Sequence, residues 1–162
     1  MNKSLKTLHD ADQRDRQGLP KFGTKAFEKR VSSMSARDKV RQKKVERILR
    51  THKNLDGVDY YHAAMVFQHS HTGQKRAITL AKKSMKLGYK NAKWLYAAAY
   101  DRMLRGKGKK QKFGTQFWLL KNGKAKVQPY DKRTSDRTRA KFNVLPIKQR
   151  LKELNSQTKQ RK

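Results

Sequence analysis

The spacing of apolar residues predicts helices along much of the first half of the chain. The apolar positions within residues 26–34 recur on one face of a helix. Ser35 and Asp38 have the spacing of a capping box, which predicts that a second helix starts there. After a polar break at residues 54–57, the stretch 59–70 is apolar nearly all round, and this pattern is typical of a buried helix.

Glycine, asparagine and proline bound the remaining predicted elements. Gly88 is a suitable C-cap for a helix over residues 74–87, because glycine tolerates the left-handed conformation found at that position. Asn122-Gly123 lies between two strand-like runs, and Asn-Gly in that setting is a strong hairpin signal. The other predicted elements are a helix at 92–105 after Asn91, strands at 116–120 and 124–128, a short helix near 135–142 and a helix after Pro146.

Together these elements predict a mainly α fold. We expect a compact helical domain with a tetratricopeptide-like helical hairpin within residues 63–104 and a small β-hairpin near 116–128. Tetratricopeptide arrays need about three repeats to be stable, so a lone helical hairpin is the better interpretation. The expected boundaries are a single domain over 1–162, a core at about 26–150 and basic tails at 1–20 and 155–162.

The charge of the chain indicates its function more directly than the predicted fold does. The chain has 43 Lys and Arg residues against 12 Asp and Glu, a formal net charge of +31 on 162 residues. Such an excess repels itself in a compact protein unless counterions or phosphates neutralise it, and it is typical of nucleic-acid binding. Of the 43 basic residues, 19 follow residue 104, so the C-terminal third is the most basic part.

The sequence lacks the features of several other classes of protein. The chain has no cysteine, which excludes disulfides and thiolate zinc sites, and no His-Glu-x-x-His pattern occurs, so neither a metal nor a cofactor is expected. No apolar run approaches the roughly 20 residues of a membrane span. The first 16 residues contain Asp10, Asp12 and Asp15 and no apolar segment, so a cytoplasmic location is expected.

The basic residues around the predicted hairpin are the candidate contacts to a nucleic acid. Residues 106–112 (GKGKKQK) lack the spacing of a nucleotide-binding P-loop, and a flexible arm on a phosphate backbone suits them better. No known base-reading module is visible, so backbone or shape recognition is expected. The candidate phosphate contacts are Lys107, Lys109, Lys110, Lys112, Lys132, Arg133, Arg137, Arg139, Arg161 and Lys162.

Three aromatic residues follow this basic segment. Phe113, Phe117 and Trp118 could stack on unpaired bases. Aromatic residues in such positions more often form the core of the hairpin.

Three segments carry a resemblance to a known family. YYHAAMVFQH (60–69), GYKNAKWLYAAAYDRML (88–104) and QKFGTQF (111–117) resemble a bacterial family of uncharacterised function with a Gln-His, an Asp-Arg and a Gln-x-Tyr-Gly-Thr-Gln motif. Here Lys110 stands where the family has Pro, and Phe113 replaces its Tyr. The resemblance implies a mainly helical fold with a small hairpin, and it supplies no activity.

The same motifs contain polar residues that would converge in such a fold. These residues are Gln68, His69, Asp101, Arg102, Gln111, Thr115 and Gln116. One interpretation is a pocket in which His69 acts as an acid or base and Arg102 binds a phosphate or carboxylate. The other, which we favour, is a buried polar network that holds the basic loop and hairpin to the helical core.

The sequence therefore predicts an RNA-binding protein without catalytic activity. A component of a ribonucleoprotein such as the ribosome, with ribosomal RNA and neighbouring proteins as partners, fits the charge best. The alternative is a nuclease-like enzyme that uses His69, Asp101, Arg102 and Gln116. Binding to an acidic membrane surface ranks last, because the charge lies on loops and tails rather than on one helix opposite an apolar face.

Overall fold

The structure, a computed structural model, describes residues 1–21, 23–70, 72–120 and 122–159. Its elements in chain order are α1 (Lys3–Asp15), α2 (Lys25–Thr51), α3 (Gly57–Phe67), α4 (Gln74–Lys86), α5 (Ala92–Gly106), β1 (Phe117–Leu119), β2 (Ala125–Val127), α6 (Asp136–Lys141) and α7 (Ile147–Lys159). The predicted fold class, mainly helical with a small antiparallel hairpin, is confirmed. No helix in the described ranges has the length and apolar character needed to cross a bilayer.

The chain divides into two compact units, Met1–Lys90 and Asn91–Lys162, where the sequence suggested one domain. In the first unit, α3 packs against α1, α2 and α4. Nine of its eleven residues are buried, as its all-round apolar pattern predicts. A short turn connects α3 to α4, and the two helices pack against each other over residues 57–86, which covers only part of the range 63–104 where a helical hairpin was expected.

The segment expected to be two helices is one helix, α2. Its N-cap is Thr24, whose side chain accepts a hydrogen bond from the backbone N–H of Phe27. No break occurs at Ser35, and Asp38 does not cap a helix. The Asp38 carboxylate pairs instead with Arg16 at 2.8 Å and with Arg41 at 2.6 Å. The capping-box spacing was therefore misleading, because the Asp38 carboxylate lies beside Arg16, the residue that follows α1, and beside Arg41 of its own helix.

Residues 1–20, which we expected to be a basic tail, contain α1. Asn2 caps this helix by accepting from the backbone N–H of Leu5, and the Leu5 side chain is fully buried. Ion pairs join α1 to α2, among them Arg41 with Asp15 at 2.7 Å. The contact between α1 and α2 therefore depends in large part on charged groups.

The second unit is organised around α5. Ala97 and Phe113 are buried together with Val144, and Tyr96, Tyr100 and Phe142 pack around them. The strands pair antiparallel, with Phe117 opposite Val127 and Leu119 opposite Ala125. Helix α7 packs against β2, where the Asn155 side chain accepts from the backbone N–H of Ala125 at 2.7 Å. This arrangement places the loop between α5 and β1 beside the segment that follows β2.

Candidate nucleic-acid interface

The carboxylate of Asp101 holds the loop that follows α5. It is fully buried on the inner face of that helix. One oxygen accepts from the backbone N–H groups of Lys112 and Phe113, at 2.8 and 2.9 Å. The other accepts from the N–H and the hydroxyl of Thr115, at 2.9 and 2.8 Å. Four hydrogen bonds to one charged group fix the loop backbone and leave the basic side chains outside it.

Gln111 ties the same loop to both ends of the hairpin. Its side chain is fully buried. The amide nitrogen donates to the carbonyls of Gln116 and Gln128 at 3.0 and 2.9 Å, and the amide oxygen accepts from the N–H of Gln116 at 2.8 Å. Its polar groups are therefore used within the fold.

The backbone of Gln111 also joins two basic segments that are far apart in the sequence. Its N–H donates to the carbonyl of Pro129 at 3.0 Å, and its carbonyl accepts from the N–H of Asp131 at 2.8 Å. These bonds form a parallel β-bridge between Gln111 and Tyr130. The loop ending in Lys112 and the segment starting at Tyr130 consequently line one cleft of about 560 Å³, formed by Lys109, Lys110, Tyr130, Asp131, Lys132 and Arg133.

The cleft is strongly basic. Lys109, Lys110 and Lys132 are exposed, and within the described residues no carboxylate forms an ion pair with any of them. The single acid, Asp131, accepts from Nε and Nη2 of Arg133, both at 3.0 Å. The side-chain hydrogen bond from Arg133, followed by its backbone N–H, lowers the pKa of Asp131 to about 2. Asp131 is therefore ionised and neutralises one arginine, and three lysine charges remain.

The other predicted phosphate contacts have different positions. Lys107 and Lys112 are exposed in the loop, and Arg137 is exposed on α6. Arg139 is 4% exposed and donates to the carbonyl of Phe113 at 2.9 Å and to Asp136 at 2.9 Å. Its guanidinium is used to join α6 to the loop, so it is a structural residue. The predicted contacts Arg161 and Lys162 lie outside the described residues.

The three aromatic residues predicted to stack on bases differ in how exposed they are. Phe113 is 1% exposed and forms part of the core, so it is not accessible to a base. Phe117 is half-buried in β1, and Trp118 is exposed on the same strand. Tyr130, which the sequence analysis did not single out, is half-buried and lines the cleft. Its position directly before Asp131 and Lys132 was the available signal, but only the bridge to Gln111 shows that it faces a second basic segment.

The predicted polar cluster is distributed over both units. Asp101, Gln111, Thr115 and Gln116 bond to one another through the loop in the second unit, and Arg102 is half-buried on α5. His69 belongs to the first unit, where it lines a groove of about 700 Å³ together with Arg16, Asp38 and Gln42. Gln68 is buried and donates to the Met65 sulfur at 3.0 Å.

The bonding within the second unit is that of a scaffold. Both oxygens of Asp101 accept from the loop, and the Gln116 side chain donates to the Thr115 hydroxyl at 2.9 Å. In the described part of the chain, no group of three or more His, Cys, Asp or Glu side chains is placed to hold a metal ion. The arrangement positions a basic loop, which agrees with the interpretation of a buried polar network.

In comparisons with known proteins, no family model, curated protein or solved structure matches this chain. The resemblance to a bacterial family, based on residues 60–69, 88–104 and 111–117, therefore stays a prediction.

Proposed function

We propose that this protein binds RNA through the basic cleft and contacts its phosphate backbone without catalysing a reaction on it. The observation that carries the proposal is the bridge between Gln111 and Tyr130, which brings two basic segments to the two sides of one cleft. Lysines on both sides, with no carboxylate paired to them in the described residues, are suited to successive phosphates of one strand.

The rigidity of the cleft supports a binding role. Flexible lysine side chains gain most from phosphate contacts when the backbone that carries them is already ordered, because less conformational entropy is then lost on binding. Asp101 and Gln111 provide that order through seven hydrogen bonds from or to their side chains. None of these bonds uses a basic side chain, so the positive charge remains available.

The charge of the whole chain favours a ribonucleoprotein as the setting. A formal charge of +31 is large for 162 residues, and phosphates would neutralise it. We therefore propose a structural or accessory component of a large particle such as the ribosome, in the cytoplasm, with ribosomal RNA and neighbouring proteins as its partners.

A charge-neutralising variant tests the proposal. The triple substitution Lys109→Gln, Lys110→Gln and Lys132→Gln removes three lysine charges of the cleft. Affinity for a labelled RNA is then measured by fluorescence anisotropy over a series of salt concentrations. We expect weaker binding and a shallower plot of log affinity against log salt, with the slope reduced by about one for each lysine that contacts a phosphate. The RNA should remain intact after incubation.

The matched control removes the same charge from the first unit. Lys29, Lys44 and Lys53 are exposed, and their replacement by Gln lowers the net charge equally. If the control loses as much affinity and slope as the cleft variant, binding depends on overall charge and the cleft is not the site. RNA cleavage by the unaltered protein that is lost in a His69→Ala variant would overturn the non-catalytic role.

A further inference from the structure

The ring of Tyr130 lines the cleft and is contacted by neighbouring residues. The Arg139 guanidinium is 5.6 Å from the ring centroid, within the range of a cation–π contact. Arg139 is itself held by the carbonyl of Phe113 and by Asp136. Gly114 approaches the ring as well, since a Cβ added there would be 4.0 Å from Cγ of Tyr130. Arg139 and Gly114 therefore restrict the positions open to the ring.

The cleft combines this ring with positive charge at short range. Tyr130 and the lysines at 109, 110 and 132 line the same space. Its volume of about 560 Å³ falls within the roughly 300–1,000 Å³ of small-ligand sites, so the space suits one flat group and an attached phosphate. A half-buried aromatic face with cations around it is the combination that binds bases of a single strand.

We infer that the cleft binds an unpaired nucleotide, with its base stacked on Tyr130 and its flanking phosphates on Lys109, Lys110 and Lys132. The inference rests on the proposed function and narrows it to single-stranded RNA. Bases of a duplex are stacked on their neighbours and paired inside the helix, so a duplex presents mainly phosphates and sugars to a cleft of this kind. An unpaired base is free to stack on the half-buried ring of Tyr130, whereas a base inside a duplex is not.

The inference predicts that the protein binds single-stranded RNA in preference to duplex RNA and that this preference depends on the ring of Tyr130. The probes are a labelled single-stranded RNA of about 12 nucleotides and a duplex of the same length, measured at one salt concentration. We expect the single strand to lose roughly 5- to 150-fold in affinity in Tyr130→Leu, the range for loss of one stacked base. Duplex binding should not change, and Tyr130→Phe, which keeps the ring, should bind the single strand within about twofold of the unaltered protein.

A second measurement is independent of affinity. Single-stranded RNA that contains 5-iodouridine is irradiated with the full-length protein, and the crosslinked residue is identified by mass spectrometry. A crosslink at Tyr130 is expected because the halogenated base reacts with an aromatic ring stacked on it. Thermal unfolding of each variant shows whether the substitution has disturbed the fold, and Tyr130→Phe remains informative where Tyr130→Leu unfolds.

The outcomes separate the inference from the proposed function. Equal binding of single strand and duplex, with neither altered in Tyr130→Leu, overturns the inference and leaves RNA binding standing. Crosslinks that map only to Trp118 or Phe117 overturn it as well. If neither RNA binds, or if the cleft lysines contribute nothing, the proposed function fails and the inference fails with it.

Discussion

The carboxylate of Asp101 accepts hydrogen bonds from both the backbone N–H and the side-chain hydroxyl of Thr115, at 2.9 and 2.8 Å. This contact connects the buried face of α5 to the basic loop. The hydrogen-bond donors to Asp101 are backbone groups of the loop and one hydroxyl, and none is a lysine or arginine side chain. A buried acid therefore orders a basic surface without neutralising it.

The variant Asp101→Asn separates loop order from charge. The substitution raises the net charge by one, so charge alone would strengthen RNA binding. The amide retains one acceptor oxygen and turns an NH₂ group toward backbone N–H donors, so we expect weaker RNA binding and a loss of about 2–4 kcal/mol in the free energy of unfolding. Trp94 and Trp118 both lie in the second unit, and their fluorescence in urea measures its stability.

Glu153→Gln is the control for that experiment. Glu153 pairs with Arg150 near the surface, and both side chains are more than a third exposed. The same change in charge should leave the stability of the second unit within about 1 kcal/mol of the original. Tighter RNA binding by Asp101→Asn at unchanged stability would contradict the ordering role of Asp101.

Arg137 and Arg139 provide a second matched pair. They lie two residues apart around α6, one exposed and one 4% exposed. Arg139→Gln leaves the carbonyl of Phe113 and the Asp136 carboxylate without their donor, and we expect a loss of about 3 kcal/mol in the free energy of unfolding. Arg137→Gln should change it by less than about 0.5 kcal/mol. Urea unfolding of both variants checks this, and equal stabilities would show that Arg139 has no structural role.

Local signals in the sequence were sufficient for most elements. Gly88 marks the end of α4 with a φ of +82°, and Asn122-Gly123 lies in the turn of the hairpin, as predicted. Pro146 precedes α7. Each signal acts within a few residues and reflects a backbone preference, so no knowledge of the tertiary structure was needed to interpret it.

The errors occurred where distant residues decide the structure. Asp38 has the spacing of a cap, but its partner Arg16 directly follows α1, 22 residues earlier in the chain. Helix α1 was missed because its contacts with α2 include ion pairs such as Arg41 with Asp15, and the sequence does not show which distant residues pair. The candidate site was predicted in part, because Lys109, Lys110 and Lys132 stand out by charge, whereas the role of Tyr130 follows only from the bridge to Gln111.

Among the residues that form ion pairs between α1 and α2, Arg41 should be the one whose replacement destabilises the first unit most. It is 7% exposed and pairs with Asp15 at 2.7 Å and with Asp38 at 2.6 Å. Arg41→Leu leaves two partly buried carboxylates short of a partner, so we expect a loss of about 3–5 kcal/mol in the free energy of unfolding. Circular dichroism in urea checks this, because the first unit is largely helical.

Arg76→Leu is the control for Arg41. Arg76 binds Glu46 through two hydrogen bonds of 2.8 Å, but about 40% of each side chain is exposed. An exposed pair of this kind contributes about 0–1 kcal/mol. If the two arginine variants lose equal stability, burial of the Arg41 pairs does not matter and the explanation of how α1 is held is wrong.

Asp12 and Asp15, three residues apart on α1, should affect the pH dependence of stability in opposite directions. Burial raises the pKa of Asp12 to about 6, with the nearby Arg16 acting in the other direction. A hydrogen bond from Arg37 is the main cause that lowers the pKa of Asp15 to about 2. Between about pH 4 and 6, the folded protein therefore keeps a proton on Asp12 that the unfolded chain has released. Between about pH 2 and 4, the unfolded chain keeps a proton on Asp15 that the folded protein has released.

The variants Asp12→Asn and Asp15→Asn separate the two effects when urea unfolding is followed between pH 2 and 8 at constant ionic strength. Asp12 stabilises the fold most below pH 4, and this contribution is lost as the pH rises to about 6. The free energy of unfolding of the unaltered protein, relative to Asp12→Asn, should therefore fall by on the order of 3 kcal/mol over that interval. Relative to Asp15→Asn it should rise between about pH 2 and 4 and then stay constant, because the contribution of Asp15 is present above pH 4 and is lost as the pH falls toward 2. A difference from Asp12→Asn that rises between pH 4 and 6 would mean that the ion pair with Arg16 outweighs the burial of Asp12.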